Sequence, residues 1–388
     1  MRITKAVVCV LAILAACAIA LPIFHYVPLH DFVEYWTTAH VFIRGHNPYS
    51  IGTLMRFQQA AGWSEKQPLM VMSPPHFLPL LIPLGFMHSY VWARLIWWCM
   101  SLAMLGFATL TVWRFYGGDV DRQWIPLCVA AAFLPVWHCL AVGQIGPLLL
   151  LGIVGFMWFE RRGYLFMAGT ALALTTFKPH LFYLLWLALL LWSVHRREFR
   201  VVLGASFAAS VGLLAAVIID RGVLTQYFAL IRSGYVWEYT SGAGGVLRSL
   251  LARQNHDLQF LPMIPGLAAL AIYWRRHRLD WQWCDRIAAV LSLSVLTAPY
   301  GWPFDEVVLL VPVVMIAVES VYDRSRQKIF VGWLVALFAA TLAGVLRYGD
   351  AVGMTVCATG VLAYLGFDST MARKPESEAP EEDTALAA

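Results

Sequence analysis

The chain contains little charge. Of its 388 residues only 13% are charged, whereas 60% are apolar, and the mean hydropathy is +0.67. A soluble globular domain carries about 25% charged residues, so this composition excludes an ordinary soluble enzyme. Apolar runs of about 20 residues, the length that crosses a bilayer, recur along the whole sequence. The sequence therefore predicts an all-α, polytopic transmembrane helical bundle.

Recognisable motifs for metal binding or disulfide bonding are also missing. The seven cysteines lie in or beside apolar runs, without a CxxC pair and without a histidine at metal-ligand spacing. A free cysteine in such a place behaves as a small apolar residue, so we expect no disulfide framework, no metal site and no cofactor. The net charge of +5 does not indicate a nucleic-acid partner, because the basic residues form short clusters between the apolar runs.

Twelve apolar segments are predicted to cross the membrane. The first follows Arg2 and Lys5 and resembles a signal peptide, but it exceeds the roughly 7–15 residues of a signal core, which favours an uncleaved span. The segment Phe77–Met87 contains Pro79 and Pro83 and is too short to cross alone, so we predict that it is re-entrant or interfacial. The predicted spans are 4–23, 91–113, 123–140, 145–160, 164–177, 180–194, 201–219, 262–274, 285–299, 304–322, 329–346 and 351–367.

The basic residues predict the orientation of these spans. Most of the 28 lysines and arginines fall in short turns on one side, which the positive-inside rule places in the cytoplasm. Both termini then lie inside, and the long loops 24–76 and 220–261 face the periplasm or exterior. We predict one integral domain over 1–370 in the plasma (inner) membrane and a disordered cytoplasmic tail over 371–388, which is rich in Glu, Pro and Ala.

Polar residues that are unusual beside apolar runs collect on the predicted outer face. Asp31 and Glu34 follow the first span, and an acidic group at such a depth is costly unless it has a partner or a task. Gln144 lies in a turn bounded by Gly and Pro, and Lys178 is the only charge in the turn that reverses 164–194. The remaining candidates on this face are His180, Trp302 and Asp305.

This set suits a transfer between a lipid-linked donor and an acceptor, with a carboxylate as base and a lysine at a phosphate. Each residue also has a structural interpretation. Asp31 and Asp305 are favoured N-cap residues, and Lys178 is long enough to reach the interface without binding anything. Glu34 is also compatible with a solvated or structural loop charge, and Gln144 with a side chain that satisfies backbone groups at its turn.

Short motifs in sequence order strengthen the enzymatic interpretation. Asp31-Phe-x-x-Tyr35-Trp, followed by Gly45-x-Asn47-Pro48-Tyr49, resembles the first-loop pattern of glycosyltransferase family 87. These are integral membrane enzymes similar to the polyprenol-phosphate-mannose-dependent α-mannosyltransferases, with the GT-C architecture. Further matches are Ser73-Pro-Pro75, Leu81-Ile-Pro-Leu84, Gly143-Gln144, Ala168-Gly169 and Phe177-Lys178-Pro179.

The resemblance implies a hexosyltransferase that takes a sugar, with mannose expected, from a polyprenyl-phosphate donor to a glycan or glycolipid acceptor on the outer face. It places Asp31 as the general base and Lys178 near the donor phosphate. The chain departs from the family where many members have a histidine, in Ala298-Pro-Tyr-Gly-Trp302, so either Asp305 substitutes or the acceptor differs. The residues expected to contact substrate are Glu34, Tyr35, Asn47, Tyr49, Gln144, Lys178, His180, Trp302 and Asp305.

Two other classes of protein remain open. Intramembrane charges and Gly/Pro-broken segments also suit a transporter or flippase of lipid-linked sugar, although no internal repeat relates the two halves and the polar residues collect on one face. A non-catalytic membrane scaffold is the second alternative. It predicts that Asp31→Asn leaves function intact, whereas a transporter predicts substrate binding from both sides of the membrane.

Overall fold

The fold is entirely helical in the part of the chain that the structure describes. The structure is a computed structural model that describes residues 30–234, 242–252 and 254–371. The first predicted span, 4–23, and the tail beyond residue 371 lie outside these residues. The helices are α1 (Phe32–Phe42), α2 (Ile51–Ala60), α3 (Leu78–Gly85), α4 (Tyr90–Phe115), α5 (Trp124–Ala132), α6 (Leu134–Val142), α7 (Gly146–Arg161), α8 (Leu165–Leu172), α9 (Tyr183–Arg196), α10 (Arg200–Ile219), α11 (Val223–Arg232), α12 (Ala243–Leu251), α13 (Met263–His277), α14 (Trp283–Leu296), α15 (Leu310–Val321), α16 (Arg324–Tyr348) and α17 (Asp350–Met371).

Fewer helices are long enough to cross a membrane than the sequence predicted. Among the described residues, α4, α10 and α16 have the length and apolar composition of a span, and one bent pair, Val120–Ala132 with Leu134–Val142, is a possible fourth. The prediction of twelve spans is therefore not supported. Two predicted spans, 164–177 and 351–367, correspond instead to the short apolar helices Leu165–Phe177 and Val352–Gly366, and a third short helix, Pro75–Gly85, covers the segment predicted to be re-entrant or interfacial.

Local breaks explain the difference. The predicted span 123–140 bends by 68° between α5 and α6, where Phe133 is extended and Pro135 follows at the start of the next helix. Proline cannot donate the backbone hydrogen bond that a continuous helix needs, and its ring clashes with the preceding turn. Hydropathy along a sequence detects the apolar run, but it does not detect this break.

The chain breaks its helix at Lys178, where the sequence predicts a turn. Helix α8 continues as a 3₁₀ segment, Ala173–Phe177, and a second 3₁₀ segment, Pro179–Phe182, leads into α9. Lys178 lies between the two segments with an extended φ of −132°. Helix α9 rises only about 21 Å, which is less than the hydrocarbon thickness of about 30 Å.

The predicted outward loops contain helices. The segment 24–76 includes α1 and α2, and 220–261 includes α11 and α12. All eleven residues of α1 are buried, and α1 packs closely on α3, where a Cβ at Gly85 would lie 2.8 Å from the Ala39 carbonyl oxygen. The interpretation of Glu34 as a solvated loop charge is therefore wrong, because Glu34 lies within a buried helix.

Candidate active site

Four predicted site residues meet in one hydrogen-bonded network. Gln144 Nε2 donates to Asp31 Oδ2 over 2.5 Å, and Lys178 Nζ donates to Gln144 Oε1 over 3.0 Å. Lys178 Nζ also lies 2.6 Å from Asp305 Oδ1. These residues come from four separate parts of the chain, so the fold alone brings them together. We refer to Asp31, Gln144, Lys178 and Asp305 as the polar network.

Asp31 directs its side chain into this network rather than capping α1. It immediately precedes Phe32, but its side chain makes no capping hydrogen bond and its backbone is already helical. The N-cap interpretation is therefore wrong for Asp31. Asp305 differs, because its Oδ2 accepts from the backbone N–H of Trp302 over 3.1 Å while its Oδ1 accepts from Lys178. It therefore stabilises its own turn, Pro303–Leu309, and also pairs with the lysine.

The turn that carries Gln144 is pressed against the start of α1. Gly143 has a φ of +76°, a conformation that glycine adopts without strain, and a Cβ there would lie 2.7 Å from Phe32 Cβ. Trp97 Nε1 donates to the Gly143 carbonyl over 2.8 Å. Because Phe32 is the neighbour of Asp31, this close packing also fixes the distance between Asp31 and Gln144.

Lys178 is anchored inside the protein. Its side chain is 13% exposed, and the side chain of its partner Asp305 is 1% exposed. The ammonium also lies 5.0 Å from the centre of the Phe304 ring, a cation–π distance. The proposal that Lys178 merely extends to the membrane interface is therefore wrong. An ammonium has three donors, and two of them are used by Gln144 and Asp305.

Burial dominates the electrostatics around Asp31. Removal from water raises the pKa of Asp31 above its ordinary value, and the hydrogen bond from Gln144 and the charge of Lys178 oppose this shift only in part. Burial also raises the pKa of Glu34 well above its ordinary value, and the nearby charge of Asp31 adds to it. A carboxylate with a raised pKa is a stronger base, which suits proton removal from a hydroxyl.

Tyr35 and Trp302 lie beside the polar network. Tyr35 donates its hydroxyl to Gln144 Oε1 over 2.7 Å, and its ring stacks on Trp97 at 5.9 Å. Trp302 stacks on Phe304 with ring centres 6.0 Å apart. Trp97 and Phe304 were not among the predicted site residues. Trp97 is one of two adjacent tryptophans in an apolar run, and Phe304 lies between the predicted Trp302 and Asp305. Aromatic residues at such positions are equally typical of the core.

His180, Asn47 and Tyr49 lie elsewhere. The His180 ring packs edge-on against Tyr300 at 5.7 Å. Asn47 is exposed and accepts from the Tyr49 backbone N–H over 2.9 Å, while the buried Tyr49 ring packs against Tyr227. Asn47 and Tyr49 follow the far end of α1, about 15 Å along the helix from Asp31. Their contact with substrate stays a prediction.

No group of three or more His, Cys, Asp and Glu side chains suited to a metal ion occurs in the described ranges 30–234, 242–252 and 254–371. The polar network itself contains two carboxylates, but the lysine ammonium occupies the space beside one of them. Its donor set is that of an ion pair with a bridging amide, and we assign no metal to it.

The fold and the site together define a helical membrane protein with a buried carboxylate–amide–lysine network. Residues 72–299, more than half of the chain, match the model of glycosyltransferase family 87, and the chain belongs to this family. Its helical fold is consistent with the GT-C architecture, and the family indicates a glycosyltransferase. No curated protein and no solved structure matches the chain.

The family match covers part of the polar network. Gln144, Lys178 and His180 lie within the matched residues, whereas Asp31 and Asp305 lie outside them. The family assignment favours an enzyme over a transporter or a scaffold. The roles of the individual residues are not given by the match and rest on the geometry above.

Proposed function

We propose that this protein transfers a hexose, with mannose as the first candidate, from a polyprenyl-phosphate donor to a hydroxyl of a glycan or glycolipid acceptor. The reaction takes place at the outer face of the plasma (inner) membrane. The observation that carries the proposal is the polar network, in which a half-buried carboxylate and a half-buried lysine are joined through one buried amide. Family membership supports the reaction class, and the network supports the assignment of roles.

Asp31 acts as the general base in this proposal. One of its oxygens is held by Gln144, and the carboxylate takes the proton of the acceptor hydroxyl as the oxygen attacks the anomeric carbon. The bond between that carbon and the phosphate oxygen breaks, and the polyprenyl phosphate leaves with the electron pair. Attack opposite the leaving group inverts the anomeric configuration.

Lys178 contacts the donor phosphate with its remaining N–H donor. Its other two donors hold Gln144 and Asp305, so its ammonium is positioned before the donor arrives. A preorganised cation stabilises the negative charge that develops on the leaving phosphate. Asp305 holds this lysine in place through the ion pair, which is the role we assign to it in place of the histidine found in many family members.

The remaining predicted residues have supporting roles in this proposal. Tyr35 fixes the amide of Gln144, Trp302 and His180 offer rings for sugar stacking, and Glu34 lies one turn into α1 beside the base. Asn47 and Tyr49 lie so far from Asp31 that they would contact only the distal parts of a long acceptor. We base the outward orientation of the site on the clusters of arginines on the opposite face.

The test combines a deletion strain with the purified protein. Mass spectrometry of envelope glycans and lipid-linked sugars should show a defined acceptor that has lost one hexose, and the purified enzyme should restore it from a polyprenyl-phosphate sugar. Accumulation of an intact lipid-linked sugar on the cytoplasmic side, with no transfer by the purified protein, would instead support a flippase.

A topology experiment tests the outer-face assignment. In a cysteine-free variant, a single cysteine at Thr53 should react with an impermeant thiol reagent in intact cells, and one at Ser325 should not. Both positions lie in the described part of the chain, at a predicted outer helix and at the start of α16. Labelling at Ser325 but not at Thr53 would show that the orientation is the opposite of the proposed one.

A further inference from the structure

Gln144 has a side-chain amide whose two ends face opposite kinds of partner. Its Oε1 accepts from two donors, the Tyr35 hydroxyl at 2.7 Å and the Lys178 ammonium at 3.0 Å. Its Nε2 therefore faces Asp31, to which it donates. Rotating the amide by 180° would direct an N–H at a lysine ammonium and an oxygen at a carboxylate, and both contacts would be repulsive. Only one orientation of this amide is compatible with its neighbours.

Little of this side chain is available to a ligand. Gln144 is 5% exposed and Tyr35 is 2% exposed. The backbone of the same turn is fixed by Trp97 and by the close packing of Gly143 on Phe32. A residue that is buried, held through its backbone and bonded at both ends of its amide resembles a support for the site more than a substrate contact.

We propose that Gln144 is a positioning residue that orients Asp31 as an ionised base and couples it to the Lys178–Asp305 ion pair. This inference rests on the proposed function and replaces the substrate-binding role expected for Gln144. The hydrogen bonds form a chain from Asp305 to Asp31. Asp305 orients Lys178, and Lys178 and Tyr35 together orient the Gln144 amide. The amide N–H is thereby directed at the carboxylate of Asp31.

The coupling has a consequence for protonation. A hydrogen bond donated to a carboxylate favours its ionised form, so the Gln144 N–H opposes the effect of burial on Asp31. The charged and titratable groups that interact with Asp31 include His30, Glu34, Tyr35, Cys139, Lys178 and Asp305, and Gln144→Met leaves all of them in place. Loss of the N–H donor should therefore raise the pKa of Asp31 and move the acidic limb of the activity profile to higher pH.

The experiment compares Gln144→Met with a matched control, Gln58→Met. Gln58 is also a fully buried glutamine with both amide ends bonded, to Leu69 and Thr37, but it lies in α2 away from the polar network. We expect Gln144→Met to lower kcat by roughly 10- to 100-fold and to move the acidic limb up by roughly one pH unit. The acceptor KM should stay within about twofold, because a positioning residue acts on turnover. Gln58→Met should leave the pH profile unchanged.

A second measurement keeps the inference separate from the proposed reaction. Carbodiimides modify protonated, buried carboxyl groups, so the extent of modification of Asp31 against pH, read by peptide mass spectrometry, reports its protonation without any turnover. Its midpoint should rise in Gln144→Met and not in Gln58→Met. If the wild type transfers no sugar but this midpoint rises, the proposed function fails and the positioning role stands.

Tyr35→Phe covers the case in which Gln144→Met does not fold. This change removes one of the two donors at Oε1 while leaving the Asp31–Gln144 hydrogen bond, so it should move the acidic limb in the same direction by a smaller amount. A raised acceptor KM with an unchanged pH profile in Gln144→Met would overturn the inference and make Gln144 a substrate ligand. An unchanged carbodiimide midpoint in both site variants would also overturn it.

Discussion

Each end of α1 carries a motif of the same family pattern, but the two ends differ in what surrounds them. At the N-terminal end, Asp31 and Tyr35 join Gln144 in the polar network. At the C-terminal end, Asn47 bonds to its own loop and Tyr49 packs on Tyr227. Both ends were predicted to bind substrate from the same resemblance. The difference shows that a motif indicates family, whereas a chemical role requires partners supplied by distant parts of the chain.

The largest effect is expected from the ion pair at the N-terminal end. Lys178→Met leaves the buried carboxylate of Asp305 without its cation, which should cost about 3–5 kcal/mol of stability and remove transfer activity. Thermal unfolding in detergent measures the first effect. The double variant Lys178→Met/Asp305→Leu should regain most of the stability and none of the activity. Recovered transfer in the double variant would contradict the role of Lys178 at the donor.

The packing of the Gln144 turn on α1 offers a second comparison. Gly143→Ala adds a Cβ that meets Phe32, at a φ that disfavours alanine, whereas Gly163→Ala has a similar φ of +78° and nothing within 4 Å. Both changes should cost about 1–2 kcal/mol through backbone strain. Only Gly143→Ala should also lower kcat, by roughly tenfold, because it displaces Asp31 from the network. Equal kcat values in the two variants would show that this packing does not position the base.

The pH dependence of the wild type gives a smaller but direct signal. Because burial raises the pKa of Asp31, the base becomes protonated on acidification before an ordinary aspartate does. The acidic limb of kcat/KM should therefore lie above the ordinary value of about 3.9, and activity should fall as the pH drops through that limb. A limb at or below the ordinary value would indicate that another group acts as the base.

The smallest effect is expected at the C-terminal end of α1. Tyr49→Phe removes a buried hydroxyl that has no hydrogen-bond partner among the described residues, so the free energy of unfolding should change by less than about 1 kcal/mol. Transfer kinetics should keep the same kcat, with at most a small rise in acceptor KM. A large loss of kcat would extend the active site along the whole of α1.

Much of the site could be predicted from the sequence, but less of the fold. Asp31, Gln144, Lys178 and Asp305 are conspicuous because each is polar beside an apolar run, and unusual polarity in such sequence has few structural explanations. The membrane spans were overcounted because hydropathy detects apolar runs but not the breaks that leave short helices, such as Leu165–Phe177, within them. The bond between Asp31 and Gln144 was also beyond prediction, since it joins residues 113 positions apart.

The central claim is that Asp31 is the catalytic base, and turnover of Asp31→Asn tests it most directly. Asparagine keeps the size of the side chain and an oxygen that accepts from Gln144, but it cannot take a proton from the acceptor. A matched control is Asp220→Asn, which alters a buried aspartate that accepts from the Gly222 N–H outside the polar network. We expect a normally folded Asp31→Asn protein whose transfer rate is roughly 10²- to 10⁴-fold lower, beside near-normal activity in the control. A normally active Asp31→Asn enzyme would contradict the account.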